Sequence, residues 1–392
     1  MPASAAPIHR SLSLLSAVSA AWAFSFGLGA PLASLWLADH GCGPLVIGLN
    51  TAAYYAGIAA AAAALPWLMA RSARACVVAG LLLAALTTAF FPAVDGLAWW
   101  FLIRAVNGLS SALFLIPIET LVNRGAPARR RARDFGLYAS SIALGIGLGS
   151  VVGLPLYPQV PRLAFALGGL LPLLVAAPAW ALPAAGLAGE SVGWDAPVRL
   201  RVNLFGFGTG WAQGFLEGGM VTFLSVYLRS LGMDQDVAGG LTGVLFLGVL
   251  AFQLPVAWLA DCGERVRVVL GCHAAVFAGM LLLPFCAGVA TIGALLFVVG
   301  GCCAALYPMG LALLGERLPP EALGRANSRY LAWNCVGSLT GPVVMGLALT
   351  FGGPYALFAS GAASVALALA ARMLERRPTQ PMAAHAAERR AA

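Results

Sequence analysis

The residue with the most chemical potential is Glu217, in Trp211-Ala-Gln213-Gly214-Phe215-Leu-Glu217-Gly218-Gly219. It lies deep in an apolar run that begins at residue 203. At 1.5 Å per residue it sits about 20 Å along a helix, near the middle of a bilayer. A charge there costs about 2.5–3.5 kcal/mol on insertion scales, so its presence asks for a reason. Desolvation favours the neutral acid, and a carboxyl held near that balance can take up and release a proton. Gly214, Gly218 and Gly219 leave room beside it for water or a solute. The plain alternative is a neutral glutamic acid bonded to a neighbouring helix.

Arg104 is the matching cation, about 10 Å into its own apolar run. Arginine stays charged, so it needs an acceptor. Glu217, backbone carbonyls and the carboxylate of a solute are all candidates, and simple helix packing is the plain alternative. Tyr54, Asn107, Gln213, Tyr307 and Asn334 are uncharged polar residues within apolar runs. They are candidates to bind a proton or a solute beside the two charges. Glu119 lies five residues before Arg124. It is expected to pair with the arginines at 124–133 as a loop anchor or gate, and Asp134 and Glu316 to act similarly.

No residue set points to catalysis. The eight cysteines form no CxxC and no Cys/His ligand spacing. There is no phosphate-binding glycine loop, so ATP is not the energy source. No cofactor and no metal are expected.

The elements that must carry these residues are apolar helices. The chain has 392 residues, 60% hydrophobic and only 10% charged, where soluble domains carry about a quarter charged. Lipid must be its solvent. All the basic residues are arginine, and they cluster between apolar runs, which suits lipid headgroups better than nucleic acid. Twelve runs are long enough to span a bilayer: 11–38, 45–70, 75–94, 97–123, 134–156, 162–183, 203–229, 236–260, 267–287, 290–314, 326–350 and 354–373. The first is too long for a cleaved leader.

Arginines alternate across these spans. Only Arg162 and Arg229 fall in the odd-numbered connections, and twenty fall on the other side. That bias places both termini in the cytoplasm of an inner-membrane protein.

The chain also repeats. A shift of 191 carries Ser34 onto Ser225, Gly41 onto Gly232, Trp67 onto Trp258 and Arg74 onto Arg265. A shift of 193 carries Gly108 onto Gly301 and Arg124 onto Arg317. The expected architecture is therefore an all-α membrane protein of twelve transmembrane helices in two six-helix pseudo-symmetric bundles. These are 1–183 and 203–373, joined by a cytoplasmic linker 184–202 and followed by a cytoplasmic tail 374–392. A solute path is expected between the bundles.

Three patterns give the chain a family resemblance. Arg104-Ala-Val-Asn107-Gly108 resembles the Arg-x-x-x-Gly motif of the major facilitator superfamily. Asp261-Cys-Gly263-Glu-Arg265 resembles its Asp/Gly/Arg loop motif, one residue off in spacing. The equivalent loop with Arg71 and Arg74 keeps the basic residues and lacks the acid. Leu306-Tyr307-Pro308-Met309-Gly310 and Gly337-Ser338-Leu339-Thr340-Gly341-Pro342 are similar to the YcaD-like branch, as is Glu119-Thr120.

The resemblance implies a secondary carrier that works by alternating access. It implies a cytoplasmic gate built from Asp261, Arg265, Arg71, Arg74 and Glu119, with Asp261 and Arg265 engaging neighbouring helix ends only when the carrier opens outward. Glu217 favours coupling to protons. Gly149-Ser150-Val-Val-Gly153-Leu-Pro155, set beside Gly341-Pro342, leans toward export. Aromatic and apolar cavity candidates favour a lipophilic or amphiphilic small molecule. Protons and membrane lipids are the other partners, the chain acts as a monomer, and nucleic acid is not a partner. Uptake of an organic anion held by Arg104 is the alternative. A receptor or assembly factor with the same fold is the alternative of another class.

Overall fold

The computed structural model of the chain describes residues 6–125, 131–182, 203–318 and 320–375. The linker, most of the tail and the arginines at 129 and 130 lie outside them. Ten α-helices are described: α1 Ala6–Asp39, α2 Pro44–Phe90, α3 Leu97–Gly125, α4 Arg131–Leu156, α5 Pro161–Ala176, α6 Leu204–Ser230, α7 Gln235–Cys262, α8 Arg265–Leu282, α9 Val289–Arg317 and α10 Pro320–Leu374.

Two of these helices hold two spans each. The run of α2 is broken at Ser72, whose φ of −165° and ψ of 99° are extended. The run of α10 is broken at Gly353, at φ 68° and ψ −163°. Both breaks fall where the sequence places short connections. Among the described residues, ten segments are long and apolar enough to cross a membrane, Arg329–Leu374 counting once. Dividing that segment at Gly353 and adding the glycine-rich α6 gives twelve spans.

The internal repeat is reproduced in detail. The α1 and α6 helices end alike: Gly41 and Gly232 each adopt φ 77°. Cys42 N–H donates to Leu37 O at 2.9 Å and Met233 N–H donates to Leu228 O at 3.3 Å. This is the glycine-terminated helix stop that caps orphan carbonyls. Further on, three-residue 3-10 turns at Phe91–Ala93 and Leu283–Phe285 precede α3 and α9 at the same distance.

The helix crossings match as well. In the first half, α1 and α4 cross so closely that a Cβ at Gly145 would strike the Ala20 carbonyl oxygen and one at Gly149 that of Phe24. In the second half, α6 and α10 cross the same way, with Gly337 on the Trp211 carbonyl and Gly341 on that of Phe215. Small residues let membrane helices approach to backbone contact, where dispersion replaces the hydrophobic drive that lipid does not provide.

The two halves meet mainly toward the arginine-poor end. Gly48 lies against the Pro342 carbonyl, Gly346 against that of Pro44, and Gly239 against Ser150 and Pro155. The hydroxyls of Thr51 and Thr222 are 3.1 Å apart across the seam. The closest contacts between the halves thus lie at the arginine-poor end.

Candidate functional site

Glu217 projects from α6, and its own surface is exposed while Leu216, Gly218 and Gly219 beside it are buried. A carboxyl exposed among buried neighbours faces open space. Its Oε2 accepts a hydrogen bond from Gln213 Nε2 at 2.7 Å. Gln213 Oε1 in turn accepts one from Asn334 Nδ2 at 2.7 Å, and the same amide donates to Gly210 O at 2.9 Å. The result is a chain Asn334→Gln213→Glu217 that crosses from α10 to α6.

The glycine crossing makes that chain possible. Gly214 abuts the Asn334 backbone and side-chain amide, so a larger residue would push α10 away. Asn334 fixes the Gln213 amide with its oxygen toward α10 and its nitrogen toward Glu217. The carboxyl is therefore held by a donor oriented from outside its own helix. It makes no ion pair among the described residues.

Arg104 lies elsewhere. It is buried inside the first half, 4% exposed. Its guanidinium stands over the Tyr54 ring at 5.0 Å and has no carboxylate partner among the described residues. The expected pairing with Glu217 is not formed. Tyr54 and Tyr55 are each within the electrostatic reach of both charges. Tyr54 donates its hydroxyl to Ser111 at 2.9 Å, which fixes the ring beside Arg104.

Asn107 goes with Arg104 and not with Glu217: it donates to Thr87 Oγ1 at 2.7 Å within the first half. Tyr307 stacks edge-on against Tyr330 at 5.2 Å in the second half. It lies within the electrostatic reach of both Glu119 and Glu217. Trp22 is core, 4% exposed and stacked on Phe26 and Phe114.

Of the five expected gate residues, Arg71, Arg74, Glu119 and Arg265 have described side chains. The side chain of Asp261 lies outside the described residues. Arg265 pairs with Glu316 at the end of α9, within its own half. The turn between α7 and α8 simply places Arg265 beside that helix end.

Arg74 donates from Nε and Nη2 to Leu182 O at 2.9 and 2.6 Å, anchoring the end of the first half. Arg71 lies over the Trp67 ring at 3.4 Å on its own helix. Glu119 makes no described ion pair, while the side chains at 124–133 lie outside the described residues. It sits instead within electrostatic reach of Tyr307 and Cys335 in the opposite half.

Sequence reasoning passed over Asp39, Tyr157 and Arg229. Asp39 accepts hydrogen bonds from Arg229 and from Tyr157 at the arginine-poor end. A signal was available: Ala38 and Arg229 are repeat-related, so the acid and the base end symmetry-matched helices. Burial and Asp39 push the Tyr157 phenol up, so it stays a donor at any physiological pH.

The Major Facilitator Superfamily model matches residues 13–201 and 206–391, a division that falls between the two halves. The chain belongs to this superfamily. It is a multi-pass membrane protein of a transport family and not an enzyme.

Among named relatives, it is 25% identical over 345 residues to the uncharacterized MFS-type transporter YfkF of Bacillus subtilis, covering 82% of this chain and 84% of that one. It is 25% identical over 318 residues to the MFS-type transporter YcaD of Escherichia coli, covering 79% and 81%. These relatives agree with the YcaD-like likeness of the second-half motifs. Among solved structures, the nucleoside transporter NupG superposes with a TM-score of 0.76 at 18% identity, over 95% of this chain and all of that one. A bacterial homolog of the human lysosomal transporter Spinster, in an inward-facing and occupied conformation, superposes at 0.70 and 15% identity, over 94% and 96%.

Proposed function

We propose that this superfamily member is a proton-coupled secondary carrier that exports a lipophilic or amphiphilic small molecule by alternating access, with Glu217 as the proton site. The observation that carries the reading is the Asn334→Gln213→Glu217 chain. It presents one oriented carboxyl, without a cationic partner among the described residues, to open space. Such a group can exchange its proton with the cavity, and a solute that enters can change which form is favoured.

The arginine-rich end is then cytoplasmic, and the conformation described is inward-facing. Uptake of an organic anion fits less well. Arg104 is behind Tyr54 and buried, so the charged groups nearest the path are Glu217 and Glu119. A neutral or positively charged amphiphile suits such walls.

Reconstituted protein with an imposed pH gradient tests this. Wild type should accumulate its solute, found by a thermal-shift screen. Glu217→Gln should still bind and exchange that solute yet lose gradient-driven accumulation. Normal accumulation by Glu217→Gln would reduce the residue to a buried hydrogen-bonding group.

A further inference from the structure

A second polar space lies wholly within the first half. Ser25, Gly29, Thr87, Thr88, Arg104 and Asn107 line a small cavity of about 20 Å3. That is room for one water-sized occupant. No carboxylate borders it.

Its polar groups are not equally satisfied. Thr87 donates to Leu83 O at 2.6 Å and accepts from Asn107 at 2.7 Å, so that pair is complete. The hydroxyls of Ser25 and Thr88 are 3.3 Å apart. One donates to the other, which leaves one O–H free. The Arg104 Nε–H has no acceptor. Arg104 is 4% exposed and cannot be deprotonated, and among the described residues its guanidinium has the Tyr54 ring for electrostatic support. A buried charge without a counter-charge is strongly disfavoured. The lining offers a positive charge, amide and hydroxyl groups, and no negative charge.

We propose that this cavity binds one small monovalent anion of chloride size, held by Arg104 Nε–H and a hydroxyl of the Ser25–Thr88 pair. The anion would be the counter-charge that the chain itself does not supply. The residues that line the site all lie in the first half, and Glu217 is not among them.

Purified protein in detergent, at fixed ionic strength, tests this with chloride exchanged for gluconate, which is too large to enter. Chloride should raise the melting temperature saturably by about 2–5 °C over gluconate. Equilibrium dialysis with radiolabelled chloride should retain about one ion per chain. Thr88→Val should weaken retention several-fold and Arg104→Gln should abolish it. An equal melting temperature in both salts with no retained chloride would overturn the proposal, and wild-type protein alone decides that. Retention unchanged in both Thr88→Val and Arg104→Gln would place the ion elsewhere and overturn it as well.

Discussion

Arg229 Nη1 donates to Asp39 Oδ1 at 2.7 Å, joining the last turn of α6 to the last residue of α1. Tyr157 adds a second bond, to Asp39 Oδ2 at 2.7 Å, from the end of α4. One carboxylate therefore ties both halves at the arginine-poor end. Asp39 and Arg229 are 42% and 35% exposed, so solvent screens the pair and its contribution is about 0.2–1 kcal/mol. Asp39→Asn should shift the balance between closed and open at that end by up to about 5-fold. Spin labels at Gly43, where nothing lies within 4 Å, and Asp234 report it, as a longer-distance population that grows in the variant. An unchanged distance distribution would mean that the glycine contacts alone hold the seam.

The amide chain behind Glu217 makes a prediction about coupling. Asn334 acts through Gln213, so removing either should disturb the same thing. Gln213→Ala and Asn334→Ala should each reduce pH-gradient-driven accumulation. The double variant should be scarcely worse than Gln213→Ala, with a coupling energy of about 0.5–3 kcal/mol. Additive losses would show that Asn334 contributes only to packing.

Close crossings predict where a methyl group is refused. A Cβ at Gly341 meets the Phe215 carbonyl, and one at Gly149 that of Phe24, whereas at Gly271 and Gly315 nothing lies within 4 Å. Gly341→Ala and Gly149→Ala should each destabilise by about 1–3 kcal/mol. Gly271→Ala and Gly315→Ala should match wild type. Thermal unfolding in detergent separates the two pairs.

Orientation can be checked directly. Reporter fusions at Ala188 and Ala384 should both lie in the cytoplasm, because the arginine bias places both segments on one side. Opposite sides would require an odd number of spans and break the two-repeat architecture.

Much of this was readable in the chain. Spans follow from apolar length, and the repeat from shifted glycines such as Gly41 and Gly232. Glu217 stood out because a lone acid in an apolar run is costly wherever its helix packs. Its partners were less legible. Gln213 lies one helical turn away and could be paired from spacing, but Asn334 reaches it only through a crossing of distant segments. Arg104 has the same limit: opposite charges suggest a pair with Glu217 among the candidate acceptors, while its burial inside the first half is a tertiary fact. Glu119 is also within electrostatic reach of Tyr307 in the other half, which its sequence neighbours do not reveal.

The paired crossings carry one further consequence. Under the shift of 191 Gln213 and Glu217 fall on Trp22 and Phe26, and under the shift of 192 that pairs Gly145 with Gly337 and Gly149 with Gly341, Asn334 falls on Ile142. The crossings are duplicated while the residues on them are not: one copy carries an acid and two amides, the other two aromatic rings and an aliphatic side chain. The two halves therefore share a backbone pattern without sharing a polarity, and the proposed amphiphile would meet its polar anchors in the second half alone.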